Sequence, residues 1–265
     1  MAARTLTACN QKGGVGKSTT SFHFGRAAVR RGMKVLAIDN DPQGNLTSSL
    51  SAEEVGEDQA GLADALSARA PERLREVIVP SIWPGLDLVP TSGVTLSYVR
   101  DELVLAGAGR ERRLREALRE VSDDYDLVLI DNAPSLDQLT INGLTAADQA
   151  IIVTESKQWS LSGMALLLET IANVRAYYNP HLAAGPVIVN RHDQRTVSGR
   201  TWLEELCTVA ADRGLDVLTP VIPRKVVLAD AVEAACGLDE WGTADARALG
   251  TIYEGHLDTI LASQP

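Results

Sequence analysis

"CNQKGGVGKST", residues 9–19, is the stretch whose reading decides the fold. Its second half is a glycine-rich loop that runs into a lysine and two hydroxyl residues. Upstream, "RTLTACN" (4–10) is a short apolar alternation and reads as a strand. Downstream, residues 17–31 lack proline and stop at Gly32, a good helix end. Between a strand and a helix, glycines let the backbone wrap an anion, so that successive N–H groups and the helix N-terminus face it. The common phosphate loop is G-x-x-x-x-G-K-[ST]. With Gly16-Lys17-Ser18 in register, the first glycine of that pattern falls on Gln11, and a second lysine, Lys12, follows it. On loop chemistry, Gly13, Gly14 and Gly16 cradle a polyphosphate, Lys17 reaches its β- and γ-phosphates, and the Ser18 hydroxyl binds Mg²⁺.

Working outward, "KVLAID" (34–39), "DLVLID" (126–131), "QAIIVTE" (149–155), "GPVIVN" (185–190) and "DVLTPVI" (216–222) read as further strands. Helical patterns occupy 61–69, 110–121, 137–147, 161–178, 199–213 and 243–263. Continuous apolar strands alternating with helices predict an α/β fold: a doubly wound, mostly parallel β-sheet with helices on both faces, a P-loop NTPase. The chain, 1–265, reads as a single domain in which 51–100 is an irregular elaboration, and no N-terminal helix-turn-helix is expected.

Hydrophobic residues at 45% and charged residues at 23% predict a well-packed soluble core, and aromatics at 4% leave its filling to aliphatic side chains and alanine. A net charge of -10 argues against a surface that is nucleic-acid footprint throughout, while leaving room for a local basic patch. Cys9, Cys207 and Cys236 are scattered without a C-x-x-C spacing, so buried reduced thiols of a cytoplasmic protein are expected rather than disulfides or zinc. No apolar run approaches the roughly 20 residues of a membrane span.

Acids fall where ligands of open parallel sheets bind, outside the strands' carboxyl ends. Asp131, at the end of "DLVLID", reads as a Mg²⁺ contact, often made through water, or as a turn acid. In "AIDNDPQGN" (37–45), Asp41 holds an attacking water or a Mg²⁺ shell, or else belongs to an ordinary D-P-Q-G turn.

Together "QKGGVGKST", "IDNDPQGN", "YDLVLIDNAPSLDQLTINGLTAADQAIIVTE" and "VIPRKVVLADA" resemble the ParA/MinD-type ATPases, whose deviant loop is K-G-G-x-G-K-[ST], and within them the ParA branch. The resemblance implies ATP and Mg²⁺ as ligands, with Gly13, Gly14, Val15, Gly16, Lys17, Ser18 and Thr19 around the phosphates. It implies that Lys12 reaches the phosphates of a second subunit, and that Lys12, Lys17 and Asp41 serve hydrolysis. Ser18 and Asp131 would support the metal, with Asp39 assisting, and Asn190 and Pro223 would lie against adenine. The implied activity is a slow ATP hydrolase acting as a partition switch for plasmids or chromosomes. ATP closes a homodimer, the dimer binds double-stranded DNA nonspecifically and joins the nucleoid, and a ParB-like adaptor stimulates hydrolysis.

Candidate DNA contacts are Arg191, Arg195, Arg200, Arg224 and Lys225; solvated scatter is the competing reading. The basic "GRERRLREALRE" (109–120) interleaves glutamates and reads as a salt-bridged face. A MinD-like membrane role would require a basic amphipathic tail. Beyond residue 226 this chain is acidic, with Arg247 its single arginine, so no membrane partner is expected. Positioning of a non-DNA cargo stays open, whereas a non-hydrolysing binding module fits poorly with Lys12 and Asp41 both present.

Overall fold

The computed structural model describes residues 3–69, 72–157 and 159–263, with the backbone alone at 159–162. Among these residues, seven strands form one sheet: β1 (Arg4–Cys9), β2 (Val35–Asn40), β3 (Val79–Pro80), β4 (Leu86–Val89), β5 (Leu127–Asn132), β6 (Gln149–Glu155) and β7 (Ala183–Asn190). Their order is β3-β4-β2-β5-β1-β6-β7, parallel at every pair except β3–β4. The chain therefore starts in the middle of the sheet and winds to both sides, which places the switch point beside β1.

Among the described residues, ten α-helices cover the two faces: α1 (Lys17–Arg30), α2 (Asn45–Leu50), α3 (Leu62–Leu66), α4 (Thr95–Leu105), α5 (Arg113–Leu118), α6 (Gln138–Ala146), α7 (Trp159–Tyr177), α8 (Val197–Ala211), α9 (Val227–Glu233) and α10 (Ala244–Ala262). Alternation along the strands decides which layer each side chain joins. Val35, Ala37, Leu127 and Leu129 pack with α1, α2, α9 and α10. Leu36, Ile38, Val128 and Ile130 face α3, α4 and α5. Ile152, Val187 and Val189 pack with α7 and α8. Strands buried on both faces lack an alternating polar side, which is why they are legible as continuous apolar runs.

α1 carries the phosphate loop at its N-terminus, and its anchoring decides how rigid that loop is. Phe22 packs on Trp83 at 4.8 Å between centroids, and Phe24 meets Tyr253 of α10 edge-on at 6.1 Å. Each such buried side chain contributes roughly 1.5–3 kcal/mol. The helix start is thereby pinned between sheet and α10.

Four expectations change. Residues 216–222 do not form a ladder strand. Val187 N–H donates to Asp216 O, Leu218 N–H donates to Val187 O, Ile222 N–H donates to Val189 O, and among the described residues only Val217 bridges to β7. Pro220 brings no N–H between those contacts, so the ladder breaks there. Conversely, the irregular 51–100 region supplies β3, β4 and α4, which extend the sheet beyond β2. Strands of two and four residues are too short to show a period in sequence. The expected helix over 110–121 divides into a 3-10 turn at Arg110–Arg112 followed by α5. Three of its five arginines pair with acids, Arg110 with Glu111, Arg119 with Glu116, and Arg113 with Glu102 of α4 at 2.8 Å, while Arg115 donates to the Tyr178 carbonyl. The three cysteines are free thiols, but only Cys9 is buried; Cys207 is exposed on α8 and Cys236 is half-buried.

Candidate phosphate-binding site

The loop between β1 and α1 sits at the carboxyl ends of the central strands. Gly14 (φ 73) and Gly16 (φ 91) take left-handed backbone conformations that residues with a Cβ rarely adopt. At Gly16 a Cβ would also lie 2.6 Å from Asn190 Nδ2. Gly16→Ala should therefore destabilise the fold by about 1–3 kcal/mol, read as a shift in the denaturant midpoint. An unchanged midpoint would mean that the loop is free to take another path.

Lys17 is buried, and its Nζ donates to Lys12 O at 3.4 Å. Burial lowers its pKa, while the carboxylates of Asp131 and Asp41 pull it back up. Asp131 is fully buried at the end of β5, and its Oδ1 accepts from Ser21 at 3.1 Å. Its Oδ2 makes no hydrogen bond. Burial pushes the Asp131 carboxyl up to about 6, against the neighbouring Ser18 hydroxyl and the Lys17 ammonium. A buried carboxylate oxygen without a partner costs free energy unless a cation or a donor completes it. Ser18 and Asp131 thus form a donor set that fits a hard divalent ion and its water.

Asp39 is different. Its Oδ2 accepts from both the N–H and the hydroxyl of Thr47 at 2.7 Å, and its Oδ1 accepts from Asp41 N–H at 3.3 Å. Burial and then the Asp131 charge raise its pKa to about 7. Both oxygens accept hydrogen bonds that hold α2 against β2, so Asp39 braces the loop. Asp41 lies just beyond, buried, with Oδ1 accepting from Gln43 N–H at 2.9 Å.

The parallel ladder aligns two copies of the tripeptide Ile-Asp-Asn. Asp39 stands opposite Asp131, and Asn40 opposite Asn132. The acids point to the phosphate-loop side. The asparagines form a chain on the other side, where Asn40 Nδ2 donates to Asn132 Oδ1 (2.8 Å) and Asn132 Nδ2 donates to Thr7 Oγ1 (2.6 Å). This buried network ties together β2, β5 and β1 at the site. Sequence reasoning missed Asn40 and Asn132, although the repeated "IDN" was there to be read. It also missed Asn10, whose Nδ2 donates to Val153 O at 2.7 Å and whose Oδ1 accepts from Lys12 N–H at 2.9 Å.

A cavity of about 560 Å³ is lined by Gly13, Gly14, Gly16, Lys17, Ser18, Thr19, Asp41 and Arg191, among others. Val15 faces the core, and its carbonyl accepts from Asn190 Nδ2 at 3.1 Å. Asn190 also donates to Gly16 O and Thr20 Oγ1, and its Oδ1 has no partner. A second cavity of about 710 Å³ adjoins the first and shares Arg191 with it. Pro223 lines neither cavity; from its loop Arg224, Lys225 and Val226 form part of the second wall.

The basic candidates divide by partner. Arg191 NH1 donates to Gly14 O at 2.6 Å, so it belongs to the phosphate loop's mouth rather than to a separate patch. Lys225 pairs with Asp245 at 2.7 Å. Arg195, Arg200 and Arg224 are exposed and have no acid within ion-pair distance among the described residues. Their two loops are drawn together by the bridge between His192 and Pro223. Lys12, one-third exposed, pairs with Glu155 at 3.2 Å.

A family model for the AAA domain matches residues 3–184. The chain is 38% identical over 232 residues to the chromosome partitioning protein ParA of Caulobacter vibrioides, covering 86% of this chain and 83% of that one. It is 37% identical over 228 residues to the sporulation initiation inhibitor protein Soj of Bacillus subtilis, covering 86% and 87%. Among solved structures, a cobyrinic acid a,c-diamide synthase from Mycobacterium smegmatis with a bound ATP analogue and magnesium superposes with a TM-score of 0.79. Its identity is 32%, over 98% of this chain and 94% of that one.

Proposed function

The chain belongs to the AAA-domain family, among its ParA-type partition ATPases, and from that premise we propose that it is an ATP-driven dimer switch that holds DNA for partition. The observation that carries this reading is a phosphate loop and an acid, Asp41, lining one cavity, with the fully buried Asp131 carboxylate, one oxygen unpartnered, beside the loop's Lys17 and Ser18. The loop N–H groups and Lys17 bind the phosphate oxygens of ATP. Ser18 and Asp131 hold Mg²⁺, Asp131 through water; when bound, the ion draws off negative charge from the phosphates. Asp41 orients the attacking water. Asn190, already braced on the loop, offers its free Oδ1 to the exocyclic amine of adenine. Closure on ATP carries Lys12 to the partner subunit's phosphates, and hydrolysis, slow until a ParB-like adaptor docks, reopens the dimer.

DNA retention has to be local, because a dimer carries twice the net charge of -10. Arg195, Arg200 and Arg224 supply it, and the two-fold axis doubles each contact. Changing Arg195 or Arg224 to alanine in every subunit should lower the slope of log affinity against log salt by about 2 per substitution. The measurement is retention on duplex DNA with ATP and Mg²⁺ across a salt series. No retention by the wild-type dimer at low salt would reject the DNA reading and favour a non-DNA cargo, while the ATPase reading would stand. A membrane role finds no support in the closing helix. α10 buries Tyr253, Leu257 and Ile260, and no helix among the described residues is long and apolar enough to cross a membrane.

A further inference from the structure

Glu155 ends β6 beside the phosphate loop, and its side chain is only 4% exposed. Three cations surround its carboxylate: Lys157 Nζ at 2.9 Å, Lys12 Nζ at 3.2 Å and Arg191 NH1 at 3.7 Å. Burial alone would raise its pKa, but hydrogen bonds from Lys157 and Lys12 reverse that and hold the carboxyl below its ordinary value. The three cations are not equivalent. Lys157 is 60% exposed and lines only the larger cavity. Arg191 lines both cavities, and its backbone is held at φ 53, a conformation unfavourable for a residue with a Cβ. Lys12 is fixed through its backbone to Asn10. Arg191 therefore stands at the mouth of the phosphate loop and Lys12 at the loop's start, both tied to a carboxylate outside it, while Lys157 lies away from it.

We propose that Glu155 is a positioning residue whose carboxylate holds Arg191 at the mouth of the phosphate loop and Lys12 at its start, so that a nucleoside triphosphate must compete with it for Arg191 within its own subunit and for Lys12 across the dimer. A triphosphate carries more charge than one carboxylate and wins them. Lys157 then stays with Glu155 and keeps the buried charge paired. A diphosphate competes less well, so the carboxylate sharpens the choice of triphosphate over diphosphate. This rests on the nucleotide reading above.

The test is fluorescence titration of the full chain with mant-ATP and mant-ADP, at low and high salt. Glu155→Gln should bind mant-ATP about three- to tenfold more tightly at low salt, the gain expected when a partly screened competing charge is removed. Mant-ADP should gain less, and the difference should shrink at high salt. In the double variant with Arg191→Gln the gain should largely disappear. If Glu155 merely supports the end of β6, its loss weakens both nucleotides alike, and that result, or no change, overturns the inference. Glu155→Asp keeps the charge but withdraws it from the cations. Should the glutamine variant not fold, the aspartate variant must shift in the same direction or the inference fails. A wild-type chain that binds no mant-ATP would overturn the nucleotide reading itself, and the inference with it; a wild type that binds, with both variants no tighter, overturns the inference alone.

Discussion

Lys12→Ala should abolish ATP-dependent dimerisation while leaving a folded monomer that still binds ATP. The fold is insensitive to this side chain for a local reason. The Lys12 contact to Asn10 runs through its backbone N–H, which alanine retains. Its ion pair with Glu155 is partly exposed, and Lys157 remains beside that carboxylate. The loss to monomer stability should stay below about 1 kcal/mol. In the proposed dimer the same side chain would make a charge-assisted contact to phosphate, and truncating such a contact costs roughly 2–5 kcal/mol. Two-fold symmetry applies that cost twice. The dimerisation constant should therefore fall by roughly a thousandfold or more. Light scattering after size exclusion, with ATP and Mg²⁺ present, reads this directly. A dimer formed by the variant at wild-type ATP concentrations would show that Lys12 does not act across subunits. Lys17→Ala is the contrasting control, since it should lose the nucleotide itself.

Asp41→Asn should slow hydrolysis by roughly 10²–10⁴-fold and leave ATP affinity within a few-fold of wild type. Asparagine is chosen because it keeps an acceptor for the Gln43 N–H and so preserves the turn into α2. What it removes is the negative charge that the proposed mechanism uses to orient water. The ATP-bound dimer should then accumulate, because its exit step is blocked. Single-turnover phosphate release, measured beside nucleotide titration, separates the two effects. A variant that hydrolyses at the wild-type rate would reduce Asp41 to a turn residue.

Much of this site is local and was legible for that reason. The phosphate loop is a contiguous segment between a strand and a helix, so Gly14, Gly16, Lys17 and Ser18 could be placed from spacing alone. The central strands are buried on both faces, and a continuous apolar run is readable without knowing the neighbours. The edges of the sheet were not readable in this way. β3 and β4 are too short to show a period, and 216–222 has strand composition while Pro220 breaks its ladder.

Roles that depend on a partner far along the chain were beyond sequence. Asp39 and Asp131 look alike as strand-ending acids. Only the fold puts Thr47 onto both the charge and the geometry of Asp39 and leaves an oxygen of Asp131 unpartnered. Arg191 and Arg195 are four positions apart and were grouped as one basic patch. The left-handed turn after β7 sends Arg191 over the phosphate loop and leaves Arg195 in solvent. In sequence Glu155 is only the last residue of an apolar strand, yet in space it gathers Lys12, Lys157 and Arg191. The sequence by itself determined the fold class and the phosphate loop, because backbone conformation and burial are set by local composition and period. The tertiary structure alone decided which charges are paired and which are free, because electrostatic partnership depends on distance in space and on burial.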